Sequence, residues 1–143
     1  MSYERLIGEH ARIDQAVEDM LHLVAGAIPD VDAVLLKLTD LACELGEHLA
    51  HEDSFIYPRM IAARDTAMAD TARRFVREFA TLRHDWSLYL GEWTGETIAA
   101  DWDNFRTETL AMMARLAARV SAENELLYPA ALQNGVIPLR IAR

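Results

Sequence analysis

Four polar residues occupy positions where a helical core would ordinarily carry Leu or Ile: His10, His48, Glu52 and Glu123. An ionised carboxylate buried without a partner is destabilising by several kcal/mol, so these side chains need each other or a cation. His48 and Glu52 are four residues apart, which places both on one face of a helix, one turn from each other. This pattern predicts a metal site between facing helices. Mixed His and Glu donors suit iron, manganese or zinc better than calcium or magnesium.

A structural role is the alternative for each of the two histidines. A single core histidine is more often hydrogen-bonded to its neighbours than bound to a metal. Two histidines and two glutamates in corresponding apolar stripes are harder to explain in this way. We therefore favour the metal site.

A short pattern occurs twice, as EDSFIYP at 52–58 and as ENELLYP at 123–129. Duplication of a helix pair around a pseudo-two-fold axis would produce this repeat and would place the two glutamates face to face. The alternative is that Tyr-Pro only marks the ends of two helices. That explanation accounts for the prolines but not for a glutamate six residues before each of them.

Long helices are the elements that must position these residues. The chain has 143 residues, 52% hydrophobic and 26% charged, which predicts one globular domain over residues 1–143. Breaks at 26–30, 63–66 and 94–97, with an end near 134–135, divide it into four segments of roughly 25–30 residues each. Because the connections are short, neighbouring helices should run antiparallel. We predict an all-α, up-down-up-down four-helix bundle.

Composition excludes several functional classes. The net charge of −9 disfavours binding to nucleic acids and to anionic membranes. With Cys43 as the single cysteine, no intrachain disulfide can form. We find no signal peptide, no apolar run long enough to span a membrane, no glycine-rich phosphate loop and no catalytic Ser/His/Asp pattern. A cytoplasmic protein is the expectation.

The chain resembles the hemerythrin-like, HHE cation-binding family. The resemblance rests on His10, on His48-x-x-x-Glu52 followed by Tyr57-Pro58, and on Glu123 followed by Tyr128-Pro129. It implies a four-helix bundle around non-haem iron, commonly a di-iron site, in proteins that bind or sense O2, NO, peroxide or iron itself. The implied ligands are His10, His48, Glu52 and Glu123, with a further histidine from the third helix. His84 is the only candidate for that position.

This sequence departs from the family pattern at Arg119. The family usually has a histidine four residues before the last glutamate, where this chain carries an arginine. Arginine stays protonated and cannot bind a metal, and its charge repels one. We expect its guanidinium to reach Glu123, and Glu52 across the bundle. The site should therefore hold one metal ion or none, instead of two.

His84 presents a geometric ambiguity. It lies nearly opposite a face that carries Phe75, Phe79, Trp86 and Trp93. If the aromatic face is the core, His84 points to solvent; if the aromatic residues form a subunit interface, it points into the site. We favour the second arrangement, which predicts a homodimer through the aromatic face of the third helix. His51 is a candidate substitute or supporting ligand, although a surface position is the favoured alternative.

Three functions follow from these observations. The first is a module that holds iron and binds or senses a small gas or peroxide. The second is a di-metal oxidase or peroxidase. The third is a metal-free descendant that serves as an interaction or dimerisation domain, in which Arg119 neutralises Glu52 and Glu123.

Overall fold

In the computed structural model, residues 1–140 are described, and the regular structure in them is entirely helical. The α-helices are α1 (Tyr3–Ala25), α2 (Val31–His51), α3 (Tyr57–Ile61), α4 (Thr66–Glu92), α5 (Gly95–Ala100), α6 (Trp102–Ala122) and α7 (Tyr128–Gln133). A π-helical turn at Glu52–Ile56 joins α2 to α3, and a second at Glu123–Leu127 joins α6 to α7. None of the described helices has the length and apolarity needed to cross a membrane.

The all-helical expectation is confirmed, but the described residues contain more elements than the four predicted helices. The breaks after α1, before α4 and after α4 lie close to the predicted positions. The short helix α5 separates α4 from α6, where only a turn was expected. The two Tyr-Pro sequences do not end their helices, because each π-helical turn carries the helical path onward into α3 or α7.

Side-chain caps determine where the helices begin. Each N-cap side chain accepts a hydrogen bond from the backbone N–H three residues later, and these residues are Ser2, Asp30, Asp65, Thr94 and Asp101. Such a bond satisfies one of the amides that a helix start leaves unpaired. Thr94 and Thr97 form a reciprocal capping box at α5. The caps therefore fix the connections between helices.

The buried side chains form two hydrophobic clusters. The larger one lies within α1, α2, α4 and α6 and includes Ile13, Leu41 and Phe105. The smaller one lies around α3 and α7 and includes Leu6, Ile56 and Leu127. Helix α1 contributes to both clusters, and its polar residue His10 lies between Leu6 and Ile13. The four polar residues singled out above therefore lie where the two clusters meet.

The predicted orientation of α4 is wrong. Phe75, Phe79, Trp86 and Trp93 are buried within the chain, and His84 is exposed on the opposite side. The physical reason is area, since burying large aromatic rings removes far more apolar surface from water than burying the small residues around His84. The aromatic face is therefore core, and it offers no surface for the homodimer that we expected there.

The two ends of the described chain are paired. The N–H of Tyr3 donates to the carbonyl of Pro138 at 2.9 Å, and the N–H of Glu4 donates to the carbonyl of Leu139 at 3.0 Å. Ile137, just before this pairing, is buried in the smaller cluster. The first turn of α1 and the segment after α7 are thus held together next to the polar residues.

We predict that Leu41→Ala lowers the free energy of unfolding by about 2–5 kcal/mol, because Leu41 is fully buried and the truncation leaves a cavity. Leu36→Ala, on the exposed face of the same helix, is the matched control and should change that free energy by less than about 0.5 kcal/mol. Chemical denaturation followed by circular dichroism measures both. Equal losses would contradict the packing described for α2.

Candidate metal centre

The structure brings together the four polar residues at the junction of the two clusters. His10 comes from α1, His48 from α2, and Glu52 and Glu123 each begin a π-helical turn. His10 Nε2 lies 2.9 Å from His48 Nε2 and 3.0 Å from Glu123 Oε1. His48 Nε2 lies 3.0 Å from Glu52 Oε1. All four side chains are at most 2% exposed, so the cluster is closed to bulk water.

The π-helical turns follow from the prolines. Pro58 has no N–H to donate and its ring collides with the preceding turn, which disfavours a regular α-helix at this point. The chain widens instead, and the N–H of Tyr57 donates to the carbonyl of Glu52, five residues back. The second repeat does the same, with the N–H of Tyr128 bonded to the carbonyl of Glu123. Each π-helical turn therefore bonds the backbone of a tyrosine to that of the glutamate five residues before it.

The two tyrosine hydroxyls cross over to the glutamate of the other repeat. Tyr57 donates to Glu123 Oε2 at 2.8 Å, and Tyr128 donates to Glu52 Oε2 at 3.4 Å. Tyr128 Oη also lies 3.0 Å from His10 Nε2. This crossed pattern is what a pseudo-two-fold repeat would give, and it ties the two halves of the site together.

The outer nitrogen of each imidazole is also occupied. His48 Nδ1 lies 2.9 Å from Glu9 Oε1, and His10 Nδ1 lies 2.7 Å from Asn124 Oδ1. A carboxylate only accepts hydrogen bonds, so His48 Nδ1 carries the hydrogen in this contact. Both imidazoles consequently turn Nε2 towards the glutamates.

Burial and mutual contact shift the pKa values of the cluster. Burial and the charge of Glu123 raise the pKa of Glu52 well above its usual range. Burial acts against the charge of Glu123 too, but hydrogen bonds from Glu52, His10 and His48, together with the charge of Arg119, lower the pKa of Glu123 well below the usual range. Burial disfavours a charged His48, but the adjacent carboxyl groups of Glu123 and Glu52 outweigh this and raise the pKa of His48 to about 10.

The donor set fits a cation. Glu52 Oε1 is buried without a hydrogen-bond donor, although it lies 3.0 Å from His48 Nε2. One ligand atom from each of His10, His48 and Glu123 lies within 4.8 Å of the other two. Nitrogen and oxygen atoms that can act as ligands therefore converge, and a metal ion that displaces the protons between them would satisfy all of them at once. Two imidazoles with two carboxylates form a donor set suited to a transition-metal ion.

In the second repeat, Arg119 stands four residues before Glu123, at the position that His48 has before Glu52. Arg119 Nη2 lies 3.3 Å from Glu123 Oε2, and Arg119 also donates to the hydroxyl of Tyr57 and to the carbonyl of Phe75. The guanidinium carbon lies 4.0 Å from the centre of the Phe79 ring. The contact with Glu123 agrees with the expectation from the sequence. Arg119 and Phe79 thus occupy one half of the site, while His48 and His10 occupy the other.

The remaining candidates lie outside the cluster. His84 is exposed, lines a surface pocket together with Arg83 and Ser87, and is not brought near the four residues. The expectation that His84 binds the metal is wrong, because α4 buries its aromatic face and leaves His84 exposed on the opposite side. His51 is partly buried and bonds Glu9 through Nδ1 at 2.7 Å.

Sequence analysis did not identify two residues that contact the site, the buried Glu9 and the partly buried Asn124. Glu9 is 4% exposed, and Asn124 holds His10. The signal for Glu9 was its position in the stripe of Leu6 and Ile13, where an acidic residue should have been marked like Glu52. Asn124 stands at an Asp position of the other repeat, and nothing in the pattern distinguished it from an exposed residue.

We predict that Glu52→Gln stabilises the metal-free protein while abolishing its stabilisation by metal. The raised pKa means that the folded state penalises ionised Glu52, so this penalty is absent below the ordinary value of 4.5 and grows as the pH rises through the folded-state pKa. The gain from Glu52→Gln should therefore be larger at neutral pH than at acidic pH. Urea unfolding in the presence of a chelator, at about pH 5 and about pH 8, measures it. A gain that shrinks with rising pH would contradict the assignment.

Comparison with known proteins agrees with this geometry. A family model described as the hemerythrin HHE cation binding domain matches residues 1–131. Comparisons with curated proteins and with solved structures give no match. The matched region contains all four clustered residues and both Tyr-Pro repeats. The chain therefore belongs to the hemerythrin HHE cation-binding domain family.

Proposed function

We propose that this protein holds a single non-haem iron ion between His10, His48, Glu52 and Glu123, and that it binds or senses a small molecule such as O2, NO or peroxide. The observation that carries the proposal is the convergence of two Nε2 atoms 2.9 Å apart with the unpartnered Glu52 Oε1. Family membership supports a cation, and the nitrogen and oxygen donors support iron, with manganese or zinc as the alternatives.

One ion is proposed in place of two because Arg119 and Phe79 fill the other half of the repeat. The guanidinium supplies a fixed positive charge 3.3 Å from Glu123, where a second cation would otherwise offset the carboxylate. The Phe79 ring, stacked at 4.0 Å, offers no ligand atom. The same two residues argue against the di-metal oxidase or peroxidase.

An enclosed cavity of about 10 Å³ lies beside three of the clustered residues, His48, Glu52 and Glu123. Apolar side chains, among them Leu45 and Leu116, form much of its wall. A volume of this size admits at most about one water molecule, so it excludes organic substrates. An iron ion bound here would supply an open coordination position for a small ligand, and the chain's own residues would limit its size.

A surface pocket of about 330 Å³ shares the side chain of Phe79 with this cavity. It lies between the first π-helical turn and α4 and is lined by Tyr57, Phe79, Ala80 and Arg83, among others. Phe79 borders both spaces, and the stacked Arg119 stands directly behind it. Phe79 therefore separates the surface pocket from the cavity, and we propose that the small ligand enters here.

The metal-free domain is the second candidate function. It is favoured by one observation, the ion pair of Arg119 with Glu123, which supplies a counter-charge from within the chain. Arg119 makes no comparable contact with Glu52, whose Oε1 remains unpartnered. The guanidinium therefore compensates one carboxyl and leaves the other to a cation.

We predict one tightly bound metal ion per chain after anaerobic reconstitution with Fe2+, measured by elemental analysis after gel filtration. Arg119→His should raise the stoichiometry towards two, because it replaces the fixed charge with a ligand. Arg115→His is the matched control, since Arg115 is one turn earlier on α6 and pairs with Asp85 at the surface. Two tight ions in the unmodified protein would refute the role given to Arg119. No bound ion would support the metal-free domain.

We also predict that Ala80→Trp slows both association and dissociation of NO in the Fe2+-loaded protein and leaves its equilibrium affinity unchanged. Ala80 is exposed and lines the pocket, so a Trp side chain there obstructs the route without entering the core. Ala111→Trp is the control, because Ala111 is equally exposed and lines a separate groove between α4 and α6. Stopped-flow absorbance measures the rates. Unchanged rates in Ala80→Trp would mean that the ligand enters elsewhere.

A further inference from the structure

Glu9 is a buried acidic residue that the proposed function does not use. It precedes His10 in α1, but its side chain contacts α2 instead. Its Oε1 lies 2.9 Å from His48 Nδ1 and its Oε2 lies 2.7 Å from His51 Nδ1. The carboxyl group is therefore shared between two histidines that are three residues apart on the next helix.

The contacts hold Glu9 in one arrangement. Each of its oxygens accepts from an imidazole, and Arg5 Nε lies 3.7 Å from Oε2. His51 is 24% exposed in its side chain, so it forms the outer boundary between Glu9 and solvent. Both oxygens of Glu9 face Nδ1 atoms, on the far side of the His48 ring from the converging lone pairs. Glu9 can therefore act on the cation only through His48.

We propose that Glu9, held in place by His51, is a positioning residue that fixes His48 with Nε2 towards the cation and strengthens that nitrogen as a ligand. This inference rests on the proposed metal site. Because a carboxylate can only accept, it keeps the hydrogen of His48 on Nδ1 and leaves the Nε2 lone pair for the ion. A charged acceptor behind an imidazole also makes the opposite nitrogen more basic.

His10 has a weaker arrangement. Its Nδ1 faces Asn124, 2.7 Å away, and an amide carries both an acceptor oxygen and a donor NH2 group. Asn124 is neutral and adds no charge behind the ring. The two imidazoles are therefore inequivalent, with His48 the better-oriented and stronger ligand of the pair.

The experiment compares Glu9→Gln with the unmodified protein, using Co2+ alone as the probe. Gln keeps the shape of the side chain and removes the charge and the strict acceptor. We expect the affinity for Co2+, measured by competition with a chromophoric chelator, to fall by about 10–100-fold. Asn124→Asp makes the converse change behind His10 and should tighten binding. Glu44→Gln is the control, because Glu44 is a partly exposed glutamate of α2 that pairs with Arg12.

A second readout needs no metal. Nitrogen-15 NMR of the imidazole side chains in the chelator-treated protein reports on the hydrogen bound to His48 Nδ1. We expect this hydrogen to exchange slowly with solvent in the unmodified protein, because Glu9 accepts from it at 2.9 Å, and to exchange faster in Glu9→Gln. If Glu9→Gln proves too unstable to study, His51→Gln loosens the same carboxylate from its outer side and should weaken Co2+ binding to a smaller extent.

The outcomes separate the inference from the proposed function. If the unmodified protein binds no cation, the metal site is refuted, whereas the NMR comparison still tests whether Glu9 fixes His48. If the unmodified protein binds Co2+ and Glu9→Gln binds it equally well with His48 unchanged, the role of Glu9 is refuted and the metal site stands. If Glu44→Gln lost as much affinity for Co2+ as Glu9→Gln, the loss of any negative charge would be enough to weaken binding. That result would also overturn the inference.

Discussion

Two carboxyl groups, those of Glu52 and Glu123, are kept from water at the junction of the two hydrophobic clusters. Removing ionised carboxylates from water is costly, and the surrounding chemistry exists to offset that cost. The carboxyl group of Glu123 is compensated within the chain by an ion pair with Arg119 and by contacts with Tyr57 and His10. Glu52 has weaker compensation, because its Oε1 accepts no well-directed hydrogen bond although His48 Nε2 lies 3.0 Å away. The asymmetry between these two residues is the reason for proposing one cation, placed on the side of Glu52 and the two histidines.

The same constraint leads us to expect that the site lowers the stability of the fold when no metal is bound. Apolar side chains in place of the two glutamates would join the two clusters into one and pack without charge compensation. A core that is apolar everywhere except at one cluster of polar residues is typical of a functional site. The crossed tyrosines and the outer partners of both imidazoles then hold the geometry, so the cluster behaves as one connected network.

Some of this was predictable from the sequence and some was not. His10, His48, Glu52 and Glu123 were identifiable because helical periodicity makes a polar residue in an apolar stripe visible. The face of α4 that points to the core was not predictable, because both faces carry apolar residues. The choice depends on which face buries more area against the other helices. The π-helical turns were not predicted either, because a Tyr-Pro pair in a sequence usually indicates the end of a helix. Only the structure shows that the helix continues through each of them. Glu9 could have been noticed in the apolar stripe of Leu6 and Ile13, but its partners could not, because His48 and His51 lie on another helix.

The pairing of Tyr3 with Pro138 and of Glu4 with Leu139 has a consequence for the dynamics of the site. Ends of helices ordinarily fray independently and exchange their amide hydrogens quickly. Here the first turn of α1 cannot open without releasing the segment after α7, so the two should open as one cooperative unit. His10 follows two turns into α1, and Tyr128, which contacts it, begins α7. Slow amide exchange at Tyr3 and Glu4 would thus report on the integrity of the helix that carries a ligand, at a distance from the ligand itself.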